Sequence, residues 1–343
     1  MSHLSVNDRT MRIGTSTVTI GGIGGVSTQR HHRNKGYSRM CMEASTSLMV
    51  REGYDIGFLF GIRNFYDKFG YITCMAEHTL TMDTRDAERA KSSLRCRPAT
   101  HTDSPELARI YNRDAASLTG SCKRTPSRWS GFTMGSFFAR KVAARIVTDS
   151  RGLAAGYVAY DDETDRVCAS EIVGTGSETY GVILHFLAGR AVKLRREEIS
   201  FKLPADHPFA RWARQFGLVD KTSYPRNSNA MARITNLLSC LQNVSGELGN
   251  RVSGRFKSTS FRFLTDVGTC HLAWTGKRLI VELGGQDSIV RVRQDHLVQL
   301  LMGYRSPADL IAADELKAAR HLHPILEALF PLHSAQMWWS DRF

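Results

Sequence analysis

The chain has 343 residues, 42% hydrophobic and 23% charged, which excludes a disordered or fibrous polypeptide and suggests two or three domains. Its net charge of +13 invites a polyanionic partner. No run approaches the roughly eighteen apolar residues of a membrane span, and residues 1–9 lack the apolar core of a secretory signal.

The charge is spread over the chain: +4 in residues 1–96, +6 in 97–230 and +3 in 231–343. The cluster Lys193-Leu194-Arg195-Arg196 runs straight into two glutamates and reads as a solvated helix end. Even dispersal and the lack of an aromatic-basic motif argue against a nucleic-acid partner. The seven cysteines are scattered, odd in number and without a CxxC pair. They indicate neither zinc nor a disulfide framework, and they suit a reducing cytoplasm.

In chain order, Ser16–Ile20 alternates, is β-branched and predicts a strand. Gly21, Gly22, Gly24 and Gly25 follow, then Val26-Ser27-Thr28. Glycines in a strand mark a bulge or a close approach to the backbone. A helix is expected from Gly36, with Tyr37, Met40, Cys41, Ala44 and Leu48 as its apolar face and Gly53 as its stop. Residues 56–60 predict a buried strand, 65–69 a helical turn ending at Gly70, and 71–80 a further strand.

Residues 95–102 are polar and read as a linker, followed by a helix that starts at Ser104-Pro105. Strands are expected over 142–147, 153–160 and 199–203, with a turn over 161–165 and a helix over 182–190. After Tyr224-Pro225 come a helix over 231–241, strands near 261–264, 270–274, 279–283 and 288–292, and helices over 296–302 and 307–311. The first two units share a similar order of elements, as an old duplication would leave.

The stretch most informative about chemistry is Val26 to Ser38. It is a strand end, a basic turn, then a glycine at a helix start. Free N–H groups at a helix N-terminus bind phosphate oxygens, and Arg33 and Lys35 add charge. Arg33-x-x-Gly36-x-Ser38 after that strand resembles the acetyl-CoA pyrophosphate loop of the GNAT acyltransferases, with serine where the family has glycine or alanine. Phe65-Tyr66-Asp67-Lys68-Phe69-Gly70-Tyr71 is similar to the family element whose tyrosine is the general acid.

The whole chain resembles the Eis-type (enhanced intracellular survival) subgroup, on Met231-Ala232-Arg233-Ile234, Phe330-Pro331 and the terminal Asp341-Arg342-Phe343. That resemblance implies an α+β / α/β fold in three units. A GNAT acetyl-CoA-binding domain would span 1–96, a second degenerate GNAT-like domain 97–228, and a sterol-carrier-protein-like α+β domain 229–343. A GNAT domain opens with strand, helix, helix and strand, whereas only Met1 to Arg12 precedes the strand here. The elements lining the acceptor pocket are therefore expected to be missing.

The implied activity is N-acetyl transfer from acetyl-CoA, as co-substrate, to a primary amine of aminoglycoside or lysine type, in a hexamer. The implied cofactor contacts are Gly25, Val26, Ser27, Arg33, Asn34, Lys35, Gly36, Tyr37, Ser38, Gly61 and Ile62. Tyr66 would be the proton donor, and Phe343 the proton acceptor through its α-carboxylate. No metal is implied. An α-carboxyl group titrates near ~3.5 and is ionised at neutral pH, so it can take a proton from an attacking amine. A phenol near ~10 can protonate a leaving thiolate near ~8.5. The alternative expectation is a catalytically impaired CoA-binding pseudoenzyme.

Overall fold

The β-branched run and the glycines after it form one long strand, β2 (Ser16–Thr28), and β1 (Ser2–Ile13) pairs with it antiparallel. The computed structural model describes every residue except 139, 163 and 164, two of which fall in the turn expected over 161–165. Beyond β2, Gly36 at φ 78° starts helix α1 (Tyr37–Arg51), a backbone angle glycine adopts without steric cost. The chain returns as β3 (Ile56–Gly61), parallel to β2 from Ile20↔Ile56 to Ile23↔Leu59. A 3₁₀ turn over Tyr66–Phe69 closes at Gly70, and the short β4 (Ile72–Thr73) follows.

The strand expected over 71–80 is in fact two. The chain leaves the ladder at 74–76, and β5 (Glu77–Asp83) joins a different sheet. That second sheet continues through α2 (Thr84–Ala87), β6 (Arg95–Pro98), α3 (Ser104–Asp114), β7 (Ala143–Thr148), β8 (Ala154–Asp162) and β9 (Arg166–Gly174). Next come α4 (Ser177–Lys193), β10 (Glu198–Phe201), α5 (Pro208–Ala213) and β11 (Val219–Ser223). Its strand order is β11-β5-β10-β9-β8-β7-β6. The expected linker over 95–102 thus holds the edge strand β6, then a 3₁₀ turn closed by a reciprocal Thr100–Asp103 capping box.

Residues expected as a helix from 231 instead form β12 (Asn229–Ile234), and the helix α6 (Leu237–Val252) begins later. Met231 and Ala232 have helix propensity, but β3 and β4 flank β12 in the first sheet. The first sheet is therefore β1-β2-β3-β12-β4. The sheets interleave across the expected junctions at 96 and 228. A third sheet holds β13 (Thr259–Thr265), β14 (Gly268–Trp274), β15 (Leu279–Glu282), β16 (Ile289–Val292) and β17 (Leu316–Lys317). It is accompanied by α7 (Gln294–Leu301), α8 (Pro307–Ala312) and α9 (His323–Leu329). No helix of the described residues is long and apolar enough to cross a membrane.

The first sheet is covered on both faces. On one, Met42 and Met49 of α1 pack with Ile23, Leu59 and Tyr71. On the other, Cys240, Leu241, Val244 and Leu248 of α6 join Val18, Ile20, Ile56 and Phe58. The buried face of α1 is Met42, Ser45 and Met49; Tyr37 and Met40 are exposed instead. Ser45 can lie inside because its hydroxyl donates to the Met42 carbonyl at 2.8 Å. The buried Asp55 ties α6 to the sheet, accepting from Thr19 N at 2.8 Å, Ser239 Oγ at 2.6 Å and Asn243 Nδ2 at 2.9 Å.

Candidate active site

Beyond the pair Ile23↔Leu59, β2 and β3 have no ladder pairing, so the strands part. On the other edge of β2, His3 pairs with Ser27 and Ser5 with Gly24, leaving Gly25 and Val26 opposite Leu4. This is a bulge, and Gly25 takes φ 60° within it. The two features expose strand backbone on the β3 side just where Gly25, Val26 and Ser27 were expected to contact the cofactor.

The last residue of the chain lies on one face of the sheet beside this gap. A Cβ on Gly22 would lie 2.6 Å from the Phe343 ring, and one on Gly24 would lie 2.9 Å from its carbonyl carbon. The glycines are small because Phe343 must lie against them. Its ring packs on Phe58 and Phe60, with centroids at 6.2 and 6.0 Å.

Each of the preceding residues holds the tail. Arg342 donates to both carboxylate oxygens of Glu77 at 3.2 and 3.3 Å and lies over the rings of Phe60 and Trp339. Asp341 accepts from Arg124 Nε at 3.0 Å and from a terminal nitrogen of that guanidinium at 2.9 Å. Arg124 also forks onto Glu171 at 2.7 and 2.8 Å, and Tyr157 donates to the same carboxylate. All four groups are buried. Burial opposes the Arg124 charge, but Asp341 and Glu171 outweigh it and push the guanidinium upward. Burial pushes Glu171 above the usual carboxylate range, with Arg124 opposing.

Helix α1 lies on the opposite face of the first sheet. Its N-terminus has no side-chain cap and no acidic residue in the first turn. Arg33, Asn34, Lys35, Gly36 and Tyr37 are exposed around it, and Ser38 is half-buried. Arg33 donates to the Thr28 carbonyl at 3.3 Å, and Asn34 takes φ 61°, so the loop is bent back toward the strand end. Uncapped N–H groups beside cations fit the pyrophosphate of a coenzyme A moiety.

Tyr66 packs on the α1 face with Met42, Met49 and Leu59. Its ring lies against the Cα of Gly61, where no side chain would fit. Burial raises its pKa above the ordinary phenol value. Tyr66 and Phe343 therefore stand on opposite faces of the sheet, either side of the gap. Ile62, the last expected contact, is 69% exposed and borders a groove of about 610 Å³ with Phe60, Trp339 and Arg342. That groove lies on the Phe343 side, where the acceptor elements were expected to be missing. Its outer wall is Phe137 and Phe138, from the long link between α3 and β7.

Sequence reasoning did not reach Arg124, Glu171, Glu77 or the Phe137–Phe138 wall. Each charge reads as solvated when taken alone. The signal was the company of charged and aromatic residues at the chain end, since an aspartate and an arginine beside tryptophans need buried partners.

Residues 1–74 match the family model described as an acetyltransferase (GNAT) domain. No curated protein sequence matches the chain. Among solved structures, a GCN5-related N-acetyltransferase from Anabaena variabilis is similar at TM-score 0.81 and 16% identity, over 99% of this chain and 86% of that one. A probable N-acyltransferase from Enterococcus faecalis is similar at TM-score 0.81 and 16% identity, over 100% and 86%. Eis1 from Mycobacterium abscessus is similar at TM-score 0.63 and 17% identity, over 100% and 86%. At such identities the likeness is one of fold: the chain has a GNAT-like fold with mixed sheets.

Proposed function

We propose that the protein is an acetyl-CoA-dependent N-acetyltransferase acting on a primary amine, of the Eis type. The observation that carries this reading is the strand gap, with an uncapped basic helix N-terminus on one face and the Phe343 terminus on the other. Arg33 to Ser38 would hold the pyrophosphate, Gly25 to Ser27 would present strand N–H groups to the thioester, and Gly61 and Ile62 would flank it. Such N–H groups stabilise charge developing on the carbonyl oxygen.

The amine nitrogen attacks the thioester carbonyl carbon from the groove side. The C–N bond forms and the C–S bond breaks. The Phe343 carboxylate takes the proton lost by the amine, and the Tyr66 hydroxyl gives one to the departing thiolate. The raised Tyr66 pKa keeps that proton in place at neutral pH. The sterol-carrier-like character of the last unit, hexameric assembly and a cytoplasmic location are parts of the same proposal, supported by the Eis resemblance.

Thiol release from acetyl-CoA across a panel of primary amines tests it. Amine-dependent release is expected. Acetyl-CoA binding by calorimetry without release for any amine would leave the pseudoenzyme reading.

A further inference from the structure

The groove on the Phe343 side has an unusual charge balance. Of its two carboxylates, Glu77 is held by Arg342 at 3.2 Å, and Asp165 meets Arg166 at 2.7 Å, a guanidinium shared with Glu198 at 2.6 Å. Its other cations have no carboxylate partner among the described residues. Arg140 donates to the backbone oxygen of Asp162 at 3.1 Å, and Lys202 Nζ to the hydroxyl of Thr79 at 3.3 Å. Facing them is an aromatic wall. Phe137 and Phe138 are 59% and 43% exposed, and both rings meet Trp339, at 6.1 and 5.5 Å. Exposed phenylalanines beside two cations with no carboxylate partner among the described residues make a surface suited to an aromatic anion.

We propose that this groove takes an acceptor amine carrying a carboxylate on an aromatic frame, with Arg140 and Lys202 holding the carboxylate and Phe137, Phe138 and Trp339 the ring. The inference rests on the acyl-transfer reading for the fate of the amine, but the anion subsite stands on its own geometry. A guanidinium and an ammonium bind carboxylate by charge-assisted hydrogen bonds, and the aromatic wall removes the ring from water. The same two cations repel a polycationic acceptor, so the groove disfavours aminoglycosides and polyamines.

Two acceptor pairs, each with and without the carboxylate, test this: 4-(aminomethyl)benzoate against benzylamine, and phenylalanine against phenylalaninamide. The charged member is expected to have the higher kcat/KM in at least one pair by about tenfold or more, the size of one charged hydrogen bond. Lys202→Gln and Arg140→Gln should each shrink that ratio, and 1,4-diaminobutane should be the poorest substrate. A better diaminobutane, or ratios that neither variant moves, overturns the proposal. Calorimetry with 3-phenylpropanoate, which has no amine, separates this from the acyl-transfer reading. If no amine is turned over but the variants weaken phenylpropanoate binding, the acyl-transfer reading fails and the anion groove stands. If phenylpropanoate binds the variants as well as the parent, the anion groove fails.

Discussion

The segments β2-α1-β3 and β9-α4-β10 are the same device built twice. Each has a long strand, a helix and a parallel return strand. Each long strand has an antiparallel neighbour on its other side, β1 in one sheet and β8 in the other. The loops before the helices differ. In the first, the chain runs from Thr28 through a basic loop to an uncapped, exposed helix start. In the second, Thr175 and Gly176 make the whole link after Gly174 ends the strand. There Gly174 N donates to Asp114 at 3.1 Å, and Tyr180 OH to the Gly174 carbonyl at 2.7 Å. The second helix start is also exposed and without a side-chain cap, but no cation precedes it and Glu178 stands in its first turn, so it disfavours the phosphate that the first would attract. A shared fold therefore carries no shared function; the loop does.

The chain end connects the two. Trp338 packs in the second core, Asp341 joins Arg124 and Glu171 there, and Phe343 reaches the gap of the first. In this account the second repeat is the anchor of the tail and the first is the place where it works.

The largest expected effect breaks that anchor. Arg124→Ala leaves Glu171 and Asp341 buried without a cation and should cost about 3–5 kcal/mol of stability in denaturant unfolding. A loss under about 1 kcal/mol would mean that the cluster does not hold the tail.

Next, Tyr66→Phe should lower kcat by about 10²-fold or more. With burial raising the Tyr66 pKa, its proton is retained to higher pH than in a free phenol, so the alkaline fall in kcat should lie above about pH 10. A fall well below pH 10 assigned to Tyr66, or an unchanged kcat in the variant, removes it as the acid.

Gly24→Ala puts a methyl group against the Phe343 carbonyl carbon and should lower kcat by up to about 10²-fold while acetyl-CoA still binds. The smallest effect separates the repeats directly. Arg33→Ala should weaken acetyl-CoA binding about tenfold, whereas Asp114→Asn, at the α3 residue that accepts from Gly174 N of the second repeat, should leave it unchanged. Equal effects in calorimetry would mean that both repeats bind the cofactor.

Much of the first repeat was legible in the sequence. The β-branched run, the glycines, the basic loop and Gly36 identify the strand, the close approach and the helix start. What approaches those glycines was not legible, because Phe343 lies at the far end of the chain. Two strands were misplaced for one physical reason. β5 follows the first repeat yet pairs with β10, and β12 follows the second yet pairs with β3. The two units exchange equivalent strands, and local pattern cannot see a partner chosen by tertiary pairing. The face of α1 was misread because a buried serine satisfied by its own helix looks polar in sequence.

The central claim is that the Phe343 terminus, held by the second unit, acts as the base in the gap of the first. Appending one glycine after Phe343 moves the carboxylate without changing any side chain. The account predicts that amine-dependent thiol release falls by about 10²-fold or more, the scale of a lost general base, while calorimetry shows acetyl-CoA binding intact. Undiminished thiol release from the extended chain would contradict it.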